Sequence, residues 1–200
     1  MSSNRLEAFS DGVLAIIITI MVLELRAPHD THWSALVALR WVFLSYVLSF
    51  VNLGIYWNNH HHMLHVTRHV TGGILWANLH LLFWLSLIPF TTAWMGENSF
   101  APVPTAVYGI NLLLAAISYY TLQRAIVRSQ GPDSVLQRAI GDDFKGKISP
   151  VMYAVAIPAA LFVHQAIAGA LYAAVALMWL LPDKRIEHMI AARQHGEQRA

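Results

Sequence analysis

Asp11 is a carboxylate set inside residues 5–25, a stretch about the length of one membrane crossing. From position 12 to position 23 there is no charge, and Thr19 carries the only polar side chain. A carboxylate at membrane depth is costly unless another group pairs with it. Arg5 lies six residues before Asp11, on a different side of a helix, and is a poor partner within it. The partners must therefore come from elsewhere in the chain. His60, His61 and His62, and further on Asn78 and His80, are the candidates that fall on the same side of the membrane. Such a pairing is a structural clamp between helices.

The histidines form the second concentration of chemistry. His61 and His65, and His65 and His69, are four apart and would share one helix face, as metal ligands do. No carboxylate lies between Trp57 and Gly73 to complete such a site. The segment reads instead as an interfacial stretch whose charge follows pH, and no metal is expected. There is no GxSxG, HExxH or P-loop pattern, so an enzyme is not expected. The basic segments are too small, and too bare of any known motif, for nucleic-acid binding.

The element that must position Asp11 has two faces. At about 100° per residue, Gly12, Ile16, Thr19, Ile20 and Leu23 share one side, and Asp11 is turned away from Ile16 by roughly 140°. Taken alone, the apolar side reads as helix packing or lipid contact. Arg5, then Phe9-Ser10-Asp11, then Gly12-Val13 and the run Ala15-Ile16…Thr19-Ile20 together resemble the FSD signature that opens the first helix of the transmembrane protein 175 family.

That family consists of potassium-permeable channels, and its bacterial members have six helices per chain and assemble as tetramers. The resemblance implies that the first helix of each subunit lines the pore. Ile16 would then stand at a narrow hydrophobic constriction. Thr19 would offer a hydroxyl that favours potassium, and Ile20 and Leu23 would continue the apolar wall. Arg5, Phe9, Ser10 and Asp11 would hold helices together rather than touch the ion. Ala15 stands where some members have serine, which leaves one hydroxyl fewer. No TVGYG-like loop occurs, so a filter of backbone carbonyls is not available.

Composition agrees with a membrane protein. The 200 residues are 56% hydrophobic and 12% charged, against roughly a quarter charged in soluble domains. With no cysteine, disulfides and thiolate metal sites are excluded. The first apolar stretch lacks a basic leader and a small-residue cleavage site, and is expected to be retained.

Six spans are expected, at about 6–26, 33–57, 74–94, 105–126, 148–163 and 165–181, forming one all-α domain over residues 1–200. Arg5, Arg68, Arg124, Arg128, Arg138, Lys145, Lys147, Lys184, Arg185, Arg193 and Arg199 all fall on one side of this arrangement. The positive-inside rule makes that side cytoplasmic and puts both termini there, in a cell inner membrane.

The expected function is a homotetrameric potassium channel with a hydrophobic constriction. It needs no cofactor, and its partners are K+ ions, membrane lipid and its own copies. The alternative is a proton- or metal-coupled transporter that uses Asp11 and the histidines of residues 60–69. Inverted repeats and broken helices would mark that class, and no clear repeat is present.

Overall fold

The computed structural model describes residues 3–67, 69–131, 134–140 and 143–180. Arg68 and the basic residues Lys184, Arg185, Arg193 and Arg199 lie outside them, as does the last residue of the sixth expected span. All regular secondary structure among the described residues is helical. Its elements are α1 (Ser3–Leu23), α2 (Trp33–Ala38), α3 (Arg40–His65), α4 (Gly72–Ser86), α5 (Ile88–Glu97), α6 (Pro102–Gln130), α7 (Val135–Ile140), α8 (Phe144–Phe162) and α9 (Gln165–Leu180).

Among the described residues, three helical stretches are long and apolar enough to cross a membrane: Ser3–Leu23, Gly72–Glu97 and Pro102–Gln130. The shorter Gln165–Leu180 is apolar as well. Trp76, Phe83, Phe90 and Phe162 are all more than half exposed. So much aromatic surface would be a liability in water and suits hydrocarbon.

Local chemistry sets the boundaries. Thr71 caps α4, its hydroxyl accepting from the Ile74 N–H at 3.4 Å. The second expected span is interrupted once, at Leu39, between α2 and α3. Its end also differs from expectation: α3 continues past Trp57 to His65. Residues 58–65 are polar but contain no proline or glycine. Falling hydropathy marks where a chain leaves the apolar layer, not where a helix must stop.

The third expected span breaks at Leu87. Pro89 lacks an N–H and sits in the first turn of α5. Asn111 of α6 fills the interruption. With its amide assigned the orientation that satisfies both ends, the nitrogen donates to the Trp84 carbonyl at 2.9 Å and the oxygen accepts from the Ile88 N–H at 3.2 Å. The fifth expected span begins earlier than position 148, because Asp143 caps α8 by accepting from the Gly146 N–H at 3.1 Å.

α6 is the central helix and packs against α4, α5, α8 and α9. Tyr108, Leu112, Ala115, Leu122 and Ile126 are buried along it. Gly109 lets α9 approach: a Cβ there would collide with the Tyr172 hydroxyl, which donates to the Thr105 carbonyl at 3.0 Å. Buried polar groups tie α3, α5 and α6 together. Thr92 donates to Ser49 at 2.7 Å, and Ser49 donates to the Tyr108 hydroxyl at 3.0 Å. α1 lies outside this centre, against α3, α4 and α5.

Candidate functional site

α1 buries Leu6, Ser10, Leu14, Ile17 and Met21, which recur every three or four residues along one stripe. Ser10 is the only polar member. Its hydroxyl donates to the Leu6 carbonyl at 2.8 Å and accepts from Asn78 Nδ2 at 3.0 Å. With its nitrogen so used, Asn78 offers Oδ1 to His60 Nε2 at 2.7 Å. The proton on His60 is therefore assigned to Nε2, and the bonds run in one direction from α3 through α4 into α1. His60, Asn78 and Ser10 are all buried, and His60 Nδ1 has no hydrogen-bond partner.

Asp11 follows Ser10 by one residue and so points about 100° away, toward the edge of α3. There it accepts from Trp57 Nε1 at 3.0 Å. The pairing differs from the expectation for His60 and Asn78, which serve Ser10, and for His80. His80 accepts from Trp84 Nε1 at 3.0 Å and meets Ser118 Oγ at 3.2 Å. The serine of the signature, not the aspartate, occupies the buried stripe. Glu7, one turn before Asp11, approaches His61 Nδ1 at 2.7 Å. His61 in turn lies 5.5 Å from His62 and 6.0 Å from His65, ring to ring. Arg5 and Phe9 are exposed.

Trp57 and Glu7 are the partners that sequence reasoning missed. Trp57 ends the second expected span and gives no sign in the sequence of meeting Asp11. Glu7 did carry a signal, because it shares a face with Asp11 at four-residue spacing.

The opposite face of α1 is bare. Gly12, Ala15, Ile16, Thr19, Ile20 and Leu23 are all exposed; Ile16 is 59% exposed, Ile20 42% and Leu23 75%. No Cβ contact would arise at Gly12. The Thr19 hydroxyl lies 2.9 Å from the Ala15 carbonyl and 3.0 Å from that of Ile16. Donating its proton back to the helix leaves its oxygen lone pairs directed outward. In one subunit, then, α1 has an anchored face and an uncovered face that is apolar except for one hydroxyl.

Comparisons with known proteins converge on one family. The family model described as endosomal/lysosomal potassium channel TMEM175 matches residues 5–89, which hold both the anchored face and its partners. A potassium channel of Chryseobacterium sp. (strain P1-3) is 54% identical over 187 residues, 94% of this chain and 97% of the relative. A potassium channel of Streptomyces collinus is 33% identical over 135 residues, 64% of this chain and 66% of the relative. Among solved structures, a lysosomal potassium-selective channel TMEM175 homolog from Chamaesiphon minutus superposes with a TM-score of 0.77. That match is 26% identical and covers 90% of this chain and 96% of the other. Sequence and fold thus agree that this chain is a membrane channel protein, not an enzyme, and belongs to the TMEM175 family.

Proposed function

We propose that this chain is one subunit of a homotetrameric potassium-permeable channel, with the bare face of α1 from each copy surrounding a common axis. The observation that carries this reading is the division of α1 into an anchored stripe and an exposed stripe. A single helix cannot enclose a pathway, whereas a closed ring of identical subunits can. In that ring Ile16 forms the hydrophobic constriction, and Ile20 and Leu23 form the apolar wall. Thr19 presents hydroxyl oxygens one turn away. A constriction of this kind gates by losing its water.

Six membrane crossings accommodate the described helices: α1, α2 with α3, α4 with α5, α6, α8 and α9. With both termini cytoplasmic, the Ser10–Asn78–His60 network lies toward the cytoplasmic end of α1. The network and the Asp11–Trp57 bond fix α1 to its own subunit and leave the pore face free. Because His60 and Asn78 are committed to Ser10, they support anchoring rather than a coupling role in an alternating-access transporter.

The test is ion flux through purified protein. Liposomes under a potassium gradient should show passive potassium uptake with no proton or metal gradient, and planar bilayers should show unitary currents. Flux that requires a proton gradient, with no unitary current, would favour the transporter.

A further inference from the structure

We propose that Glu7, Asp11 and His61 form a binding site for a divalent cation of the zinc class that clamps α1 to α3. One ligand atom from each residue can be chosen so that all lie within 4.8 Å of one another. The two carboxylates come from one face of α1 and the imidazole comes from α3. The histidine segment holds no carboxylate between Trp57 and Gly73, and the acidic ligands arrive instead from another helix.

Several features favour an ion at this point rather than a plain ion pair. Two carboxylates face one imidazole, with Glu7 paired to His61 and Asp11 accepting from Trp57. All three residues are half-buried, so the excess negative charge is poorly solvated yet open to an ion from the aqueous side. Trp57 Nε1 holds one oxygen of Asp11, orienting the carboxylate as outer-shell donors do around metals. The His61 ring stacks between Trp57 at 6.4 Å and His65 at 6.0 Å, which fixes its plane. Three protein ligands are the number that open zinc sites use. A mixed imidazole and carboxylate set suits zinc, whereas magnesium and calcium take oxygen ligands. To bind, His61 Nδ1 must carry no proton, which passes to solvent, and Glu7 must move back from its 2.7 Å hydrogen-bond distance to admit the ion. The proposal does not depend on which ion the channel conducts.

The test uses the detergent-purified oligomer with any affinity tag removed and chelator-stripped. It is dialysed against zinc chloride and assayed for bound zinc, with magnesium chloride as the parallel arm. The wild type should hold about one zinc per chain and melt several degrees higher with zinc but not with magnesium. Glu7→Gln and His61→Gln should each weaken zinc binding at least about tenfold. Replacing His65 and His69 together with alanine should leave it in place. If Glu7→Gln fails to assemble, His61→Gln carries the comparison. Wild type without bound zinc would overturn the proposal. So would zinc retained in Glu7→Gln or His61→Gln, or zinc lost only when His65 and His69 are replaced.

Discussion

Ser10 and Asp11 are adjacent, yet they answer to different surroundings. Ser10 is fully buried and linked to two other helices, while Asp11 meets a tryptophan that is 46% exposed. The cost of breaking each contact should follow burial. Asn78→Ala strands the His60 Nε2 donor and removes the donor to Ser10, and an unpaired buried group costs about 1–3 kcal/mol. Thermal melting of the detergent-solubilised protein should fall clearly. Trp57→Phe frees an oxygen that water can reach, so its effect should be the smaller of the two. Equal shifts would mean that the buried chain of hydrogen bonds does not anchor α1. On the bare face, Thr19→Ala removes the one hydroxyl from an otherwise apolar stripe. We predict a lower preference for potassium over sodium with flux retained, measured as a reversal-potential shift under bi-ionic conditions. An unchanged reversal potential would remove Thr19 from the pathway.

Helices show which parts of the structure a sequence can reveal. The two-faced pattern of α1 was legible, because it follows from helical period, whereas the expected span of 74–94 held neither the start of α4 at Gly72 nor the break at Leu87. The continuation of α3 through the histidines was not legible, since polarity marks the edge of the apolar layer and not the end of a helix. Nor was the capture of Asp11 by Trp57, because nothing local says which neighbour a half-buried carboxylate will meet. The close approach of α6 and α9 was hidden as well. It depends on Gly109 having no side chain opposite Tyr172, a fact about two helices rather than one. We predict that Gly109→Ala displaces the Tyr172 hydroxyl from Thr105 and destabilises the fold by about 1–3 kcal/mol, the usual cost of overpacking. Tyr172→Phe in the alanine background removes the atom in the way and should recover part of that loss. A purely additive double mutant, read by melting temperature, would show that the two residues are not coupled.

At the scale of the whole molecule, the unresolved matter is what covers the outer face of α1. α1 stands at the edge, with one stripe packed against α3, α4 and α5 and an isoleucine 59% exposed at its middle on the other side. Lipid could cover such a face, and so could three copies of the same helix around an axis. The two cases differ at Ile16. Facing lipid, an asparagine would place an unpaired amide in hydrocarbon, harming stability and leaving any current unchanged. Facing its own copies across a narrow pathway, the same asparagine would replace a ring that sheds water with one that holds it, lowering the barrier to a hydrated ion. We therefore predict that Ile16→Asn assembles as the wild type does and passes a larger resting potassium current in planar bilayers. Size-exclusion chromatography with light scattering supplies the assembly arm, and single-channel recording supplies the other. An intact oligomer with wild-type conductance would place the constriction elsewhere, and a destabilised protein without altered current would assign this face of α1 to lipid.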